Sequence, residues 1–179
     1  MSEASPGTAT DWRSLVRDVP DFPIPGILFK DIVPVLADPA GLAAMAGELA
    51  EAARAMQPDV VVAIEARGFI LGAPIALALG IGFVPVRKPG KLPFSTRSVA
   101  YALEYGEAVL HMHTDALLEG ARVVIVDDVL ATGGTLAATA QLVTEGGGIA
   151  VGAVVALEID GLGARERLAG LPLTALQAL

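Results

Sequence analysis

VVIVDDVLATGGT, residues 123–135, joins a run of β-branched residues to two adjacent carboxylates and then to a short glycine-rich turn. Its first four residues, Val123 to Val126, are apolar and branched, which is typical of a strand buried on both faces of a parallel sheet. Open α/β sheets bind their ligands at the carboxyl ends of the strands. Asp127 and Asp128 follow at that end, so the stretch predicts a ligand site there.

The residues after the two carboxylates predict anion binding. They are small and lead into a helix predicted at Leu136–Glu145: Ala131, Thr132, Gly133, Gly134 and Thr135. Backbone N–H groups at the start of a helix can close on an anion. Asp127 and Asp128 can accept hydrogen bonds from sugar hydroxyls, or hold a hard cation through oxygen. The stretch therefore predicts a site for a phosphorylated sugar.

The rest of the chain alternates between strand and helix patterns. Asp38 and Pro39 predict the N-cap and first residue of a helix with an apolar face. Further along, the patterns predict strands at Val60–Ile64, Phe83–Val86 and Ile149–Leu157, helices at Gly68–Leu79 and Arg165–Leu168, a loop from Arg87 to about Ser98, and an antiparallel hairpin around Tyr105-Gly106. This order predicts an α/β fold with a doubly wound, mainly parallel sheet flanked by helices.

Length and composition predict a single domain, 1–179. A chain of 179 residues that is 54% hydrophobic can form one large core, but is short for two domains. It has no cysteine, which excludes disulfides and thiolate metal sites and fits a reducing compartment. The first residues resemble no signal peptide, and no apolar run reaches the ~18 residues of a membrane span. We therefore expect a cytoplasmic protein without membrane partners.

The distribution of charge suggests a binding site for a polyanion. The net charge of −8 argues against a surface that binds nucleic acid through its phosphates. No acidic residue occurs from residue 66 to residue 103, yet that segment holds five cations: Arg67, Arg87, Lys88, Lys91 and Arg97. We interpret it as a local polyanion site, focused by the negative field of the remaining chain.

Rival nucleotide and phosphoryl motifs do not fit the chain. A Walker A loop needs Gly-Lys followed by Ser or Thr, whereas Gly90-Lys91 is followed by Leu92. The dinucleotide fingerprint GxGxxG is absent as well. The string IVDD is similar to the acidic pocket of phospho-receiver domains, but it lies too close to the C-terminal end for that scheme, which also gives the glycine turn no role.

Residues 123–135 resemble the 5-phosphoribosyl 1-diphosphate (PRPP) motif of the type I phosphoribosyltransferases. Four further strings, within Asp18 to about Leu168, are similar in order and spacing to the adenine-specific members of that family: Phe22–Asp31 (FPIPGILFKD), Glu65–Phe69 (EARGF), Val86–Pro93 (VRKPGKLP) and Leu103–Gly106 (LEYG). The PRPP motif alone specifies the superfamily, and the combination of the other strings is far more specific. The resemblance implies the type I phosphoribosyltransferase fold with a β-hairpin lid and a small hood.

This resemblance implies transfer of ribose 5-phosphate from PRPP to N9 of adenine, giving AMP and diphosphate with Mg²⁺ present. Ala131, Thr132, Gly133, Gly134 and Thr135 would bind the 5′-phosphate. Asp127 and Asp128 would bind the ribose hydroxyls, with Mg²⁺ carried mainly by the substrate and either aspartate a candidate metal ligand. The diphosphate would be bound by the cations Arg67, Arg87, Lys88 and Lys91.

Catalytic and base-binding roles also follow from the resemblance. It assigns catalytic roles to Glu104, Arg67 and Lys88, with Glu104 near the base as a hydrogen-bond partner or general acid at N7. It assigns adenine binding to Leu28, Phe29, Arg67 and Ile159. It further places a non-proline cis peptide near Glu65-Ala66.

The family pattern divides the single domain into functional segments. We expect residues 1–10 to be flexible, 87–105 to form a flexible catalytic loop, and 18–36 with 158–179 to form the hood on the base side. Relatives are generally homodimers, so a homodimer is expected. Two alternatives stay open from the sequence: a PRPP-binding regulatory module, and a phosphoribosyltransferase for another nucleobase.

Overall fold

The computed structural model describes residues 11–102 and 106–179. The chain divides into two compact units, one ending at Glu48 and the other comprising Leu49–Leu179. The expectations for residues 1–10 and for Leu103 to Tyr105, which include the role of Glu104, lie outside the described residues. No helix within the described ranges is both long and apolar enough to cross a membrane.

The first unit contains a short antiparallel sheet and the start of a long helix. A 3-10 helix at Trp12–Leu15 precedes strands β1 (Arg17–Pro20) and β2 (Leu28–Asp31), and helices α1 (Val33–Ala37) and α2 (Pro39–Arg54) follow. The predicted cap of α2 is confirmed, because Asp38 Oδ1 accepts a hydrogen bond from Gly41 N at 2.6 Å.

The second unit is built on a five-stranded parallel sheet. Its elements are β3 (Val60–Ile64), α3 (Arg67–Leu79), β4 (Gly82–Val86), β5 (Thr96–Ala102), β6 (Glu107–His113), β7 (Arg122–Leu130), α4 (Gly134–Glu145), β8 (Ile149–Glu158), α5 (Ala164–Arg167) and β9 (Leu173–Ala178). The strand order is β4-β3-β7-β8-β9, and every pair in this sheet is parallel. The predicted doubly wound α/β fold is confirmed.

Helices cover both faces of this sheet. Alternate residues such as Val62 and Ile125 join a buried cluster with Leu136 and Leu142 of α4 and with residues of β5 and β6. On the opposite face α3 packs closely, since a Cβ on Gly72 would lie 2.6 Å from Ala63 Cβ. The central strands are therefore buried on both sides, which explains their continuous apolar runs.

Three parts of the second unit differ from the sequence prediction. The predicted hairpin is confirmed as β5 paired with β6, but β5 begins at Thr96, inside the predicted loop. Strand β7 continues past Val126 to Leu130, because its backbone keeps pairing with β8 where apolar side chains give way to carboxylates. Strand β9 was not predicted, and it adds an edge strand parallel to β8.

Candidate active site

The candidate site lies where the chain direction across the sheet reverses. From β3 the chain passes through α3 to β4 on one side, and from β7 it passes through α4 to β8 on the other. Strands β3 and β7 are neighbours, so their connections leave in opposite directions. A crevice at the carboxyl ends of such a strand pair is the usual ligand site of open α/β sheets.

The connection between β3 and α3 lies close to the carboxylates in the C-terminal half of β7. The Glu65-Ala66 peptide is cis, as the family pattern indicates, and α3 starts at the next residue, Arg67. Gly68 makes the approach possible, because a Cβ at this position would lie 2.9 Å from Val126 O and 3.0 Å from Asp127 Oδ1. The first turn of α3 is thus held against the carboxylate end of β7.

Arg67 and Asp128 form an ion pair across this crevice. Arg67 Nε donates to Asp128 Oδ2, and the Asp128 side chain is only 7% exposed while that of Arg67 is 43% exposed. A buried carboxylate is costly unless a cation or hydrogen-bond donors compensate it. The structure therefore brings together two predicted site residues that lie far apart in the sequence.

Asp127 has weaker compensation than its neighbour. It is half-buried, and its Oδ1 accepts a hydrogen bond from Asp128 N at 2.9 Å. Burial, and then the negative charge of Asp128, raise the pKa of Asp127 well above its usual range. A ligand that brings hydroxyl donors or a cation to this carboxylate would relieve that electrostatic cost.

The loop from Ala131 to Thr135 forms a small pocket at the start of α4. The pocket has a volume of about 80 Å³ and includes Asp127 in its lining. Gly133 adopts a left-handed conformation, with φ of 79°, as the N-cap residue of α4. The first N–H groups of a helix lack intrahelical acceptors, so they are available to an anion in this pocket.

Tyr101 is a site residue that the sequence analysis missed. Its hydroxyl lies 3.2 Å from Thr135 Oγ1, within hydrogen-bonding distance, and connects β5 to the first turn of α4. Tyr101 lies in the predicted hairpin, but the strand pattern contained no information about what the strand contacts. The hairpin is therefore linked to the candidate phosphate loop.

Two of the predicted site cations are engaged by carboxylates. Besides Arg67, Arg87 donates to both oxygens of Glu65, at 3.0 and 3.3 Å, and to Lys91 O at 3.1 Å. The Lys88 N–H donates to the same carboxylate at 3.0 Å. The hydrogen bond from Arg87 is the main cause of a lowered pKa of Glu65. The side chains of Lys88 and Lys91 are exposed.

The residues assigned to adenine lie in both units. In the first unit, Leu28 is exposed and Phe29 is half-buried on β2. In the second unit, Ile159 directly follows β8 and lines a cavity of about 320 Å³ formed by residues 158–166. Beside that cavity, Arg165 Nε donates to the buried carboxylate of Glu158 at 2.8 Å.

The donor set near β7 suits an ion that is held mainly by substrate. Within residues 11–102 and 106–179, no group of three or more His, Cys, Asp or Glu side chains could hold a metal. Asp127 and Asp128 can offer oxygen atoms, but Asp128 already accepts from Arg67. Mg²⁺ usually takes one or two carboxylates and completes its coordination with phosphate oxygens and water, so the site fits Mg²⁺ brought by a phosphorylated substrate.

Comparisons with known proteins agree with this geometry. The model of the phosphoribosyl transferase domain matches residues 35–168. Among curated proteins, an adenine phosphoribosyltransferase from Synechococcus sp. is 51% identical over 166 residues, which cover 93% of this chain and 97% of the relative.

Solved structures of the same kind superimpose over nearly the whole chain. Adenine phosphoribosyltransferase from Thermoanaerobacter pseudethanolicus is 49% identical with a TM-score of 0.92, covering 96% of this chain and 100% of its own. The enzyme from Saccharomyces cerevisiae, solved with an imino-altritol bisphosphate and adenine, is 36% identical with a TM-score of 0.87, covering 94% of this chain and 98% of its own.

Proposed function

Since the chain belongs to the phosphoribosyl transferase family, we propose that it is an adenine phosphoribosyltransferase that forms AMP and diphosphate from adenine and PRPP. High identity over almost the full length of adenine-specific relatives supports the choice of base. The observation that carries the proposal is the meeting of Arg67, the two aspartates and the glycine-rich loop at the switch between β3 and β7.

PRPP would extend along this crevice from the α4 end to the basic segment. Its 5′-phosphate binds the loop Ala131–Thr135 at the N-terminus of α4, and its ribose hydroxyls donate to Asp127 and Asp128. The diphosphate binds Arg67, Arg87, Lys88 and Lys91. The raised pKa of Asp127 supports the diol role, because hydroxyl donors compensate a carboxylate that the free protein leaves poorly compensated.

In this reaction the C1–O bond of the ribose to diphosphate breaks while a bond from C1 to adenine N9 forms, and the proton displaced from the base is released to solvent. Negative charge grows on the leaving diphosphate, and a preorganised cation aimed at it is worth roughly 3 kcal/mol, by analogy with a single oxyanion-hole donor. We assign this role to Arg67 and Lys88. Arg87 is held by Glu65, so it acts from a fixed position. Mg²⁺, held mainly by substrate oxygens with Asp127 or Asp128 as a candidate ligand, would supply further charge neutralisation.

We assign base recognition by family correspondence to Leu28, Phe29, Arg67 and Ile159. Glu104 is the assigned hydrogen-bond partner or general acid at adenine N7. Residues 87–105 are assigned as the lid that excludes water, and 18–36 with 158–179 as the hood. Lid motion of this kind often limits turnover.

We also propose that the protein is a cytoplasmic homodimer. The absence of cysteine is consistent with a reducing compartment. Helix α3 and the strand after it expose several large apolar side chains, with Ile70 at 45%, Leu77 at 83% and Phe83 at 36%. Clustered exposed apolar surface is typical of association sites. Light scattering of the purified protein tests the dimer directly.

One assay tests the proposed reaction. The full chain is incubated with PRPP and Mg²⁺ and with adenine, hypoxanthine, guanine or uracil in turn, and the nucleotide product is quantified. We expect AMP from adenine and little product from the other bases. Turnover of hypoxanthine or guanine but not adenine would overturn the base assignment. PRPP binding without turnover of any base would instead identify a regulatory module.

A further inference from the structure

The short helix α5 packs on the candidate phosphate loop and brings an arginine to it. A Cβ on Gly133 would lie 3.2 Å from Ala164 O, at the first residue of α5. A Cβ on Gly134 would lie 3.0 Å from Arg167 Nη1 and 3.2 Å from Tyr101 Cδ2. The two glycines therefore allow α5 and the hairpin to approach the start of α4 from two directions.

We propose that Arg167 is a further ligand of the 5′-phosphate, an assignment that rests on the proposed function. Arg167 is not among the site residues predicted from the sequence, because it lies outside the basic segment and outside the PRPP motif. Its guanidinium nevertheless lies beside Gly134, the first residue of α4.

The charge environment of Arg167 differs from that of Arg165, Arg67 and Arg87. Arg165, on the same helix, is paired with the buried Glu158, while Arg67 and Arg87 are paired with Asp128 and Glu65. Across the two described ranges of the chain, no carboxylate lies within ion-pair distance of the exposed Arg167 side chain.

The start of α4 offers Arg167 no favourable charge interaction without a bound anion. A helix N-terminus carries a partial positive charge, so a cation beside it is repelled. An anion seated at the start of α4 reverses the sign of that interaction, because it is attracted by both the helix N–H groups and the guanidinium. Arginine matches phosphate oxygens with two parallel N–H donors, which a helix terminus alone does not provide.

The assignment is tested with Arg167→Met and a matched control, Arg54→Met. Both substitutions remove one positive charge, and Arg54 is an exposed residue of α2 paired with Glu51. Calorimetric titration with AMP is combined with steady-state kinetics. For Arg167→Met we expect about tenfold weaker AMP binding and about a tenfold higher KM for PRPP, the lower end for a hydrogen bond to a charged group because Arg167 is exposed.

Other readouts separate phosphate binding from a structural role. In Arg167→Met, kcat and the KM for adenine at saturating PRPP should change less than twofold, and the melting temperature without ligand should not fall. Arg167→Lys should recover part of the AMP affinity. Arg54→Met should resemble the wild type in every measurement.

The possible failures are distinguishable. If wild-type protein neither forms nor binds AMP, the proposed function is overturned, and the Arg167 assignment with it. If wild-type protein forms AMP but Arg167→Met matches Arg54→Met in AMP affinity and in KM for PRPP, only the Arg167 assignment is overturned. Equal losses for adenine and PRPP in Arg167→Met would also overturn it, because they indicate general distortion of the site.

Discussion

Replacing Gly68 with alanine should reduce activity through a local shift of the site, with only a small loss of stability. The added Cβ would lie 2.9 Å from Val126 O, 3.0 Å from Asp127 Oδ1 and 3.3 Å from Asp127 Cα. Ordinary contacts of this kind begin near 3.4 Å, and most of these atoms belong to the backbone of β7. To relieve these short contacts, the start of α3 must move away from β7 by a few tenths of an ångström. This movement displaces the neighbouring Arg67.

The expected magnitudes follow from crowding and from geometry. An extra methyl in a packed site lowers the free energy of unfolding by about 1 to 3 kcal/mol. The helix preference of alanine over glycine offsets up to about 1 kcal/mol of this loss. A net loss of about 1 kcal/mol corresponds to a melting temperature lower by about 2 to 4 °C for a chain of this size. Misplacing catalytic groups by about 1 Å can cost about 100-fold, so the smaller shift from Gly68→Ala should lower kcat/KM for PRPP roughly tenfold.

Two glycines provide matched controls for this substitution. Gly72 lies one turn further along α3, where a Cβ would crowd Ala63 at 2.6 Å but would not touch the carboxylate end of β7. Gly72→Ala should lower the melting temperature at least as much, while kcat/KM at 25 °C stays within about twofold. Gly47 is exposed in α2 with open space around it, so Gly47→Ala should raise the melting temperature by about 2 to 4 °C. Wild-type kcat/KM in Gly68→Ala, or an equal loss in Gly72→Ala, would refute the reasoning.

Three further substitutions test the electrostatics and the hairpin contact. Burial raises the pKa of Asp127, so the stability of the wild type falls as pH rises from about 4 through the raised pKa of the folded state. The melting temperature of Asp127→Asn should therefore exceed that of the wild type at pH 7 but not below pH ~4. A difference in melting temperature that stays constant with pH would contradict this. The Arg87 hydrogen bond lowers the pKa of Glu65, so that carboxylate stabilises the fold above about pH 4 and loses this effect as pH falls through the lowered value. Glu65→Gln should therefore cost at most about 1 kcal/mol at pH 7, measured by denaturant titration, and less in acid. Tyr101→Phe removes the hydrogen bond to Thr135, worth about 1 kcal/mol, and should raise the KM for PRPP about fivefold at unchanged kcat; a lowered kcat with normal KM would contradict the positioning role.

The sequence predicted those elements that are specified by their own side chains, without partners distant in the sequence. The run Val60–Ile64 is buried from Val61 onward, and the structure has a strand with the same bounds. Asp38 and Pro39 specify a helix start through local hydrogen bonding and a fixed φ, so no distant residue is needed to predict it. The candidate site at the carboxyl end of β7 stays a prediction, and it rests on the same kind of reasoning, because the position of ligands in open sheets follows from topology.

Other elements depend on partners that local patterns do not reveal. Strand β9 has an intermediate burial pattern, without clear alternation, and its strand conformation comes from hydrogen bonding to β8. Strands β1 and β2 are four residues each and pair only with one another in a sheet of two. Such short segments gain their structure from pairing, which a propensity pattern does not contain.

The charges at the site also depend on partners that the local sequence pattern does not reveal. The acid-free segment from residue 66 to residue 103 suggested an uncompensated cluster of cations. In the structure its first two arginines meet carboxylates from outside the segment, Arg67 with Asp128 and Arg87 with Glu65. Strand register brings these partners together, and no spacing along the sequence records register.

Pairing changes what the cations contribute to binding. An arginine held by a carboxylate loses little conformational freedom when substrate arrives, so more of its interaction energy remains for the ligand. The carboxylates in turn are held in fixed orientations, since Arg67 donates to the buried Asp128. The pKa of Asp127 is raised by burial, and this carboxylate lines the pocket of the phosphate loop. In the free protein this carboxylate is poorly compensated, and we expect the hydroxyl donors of the proposed substrate to compensate it on binding.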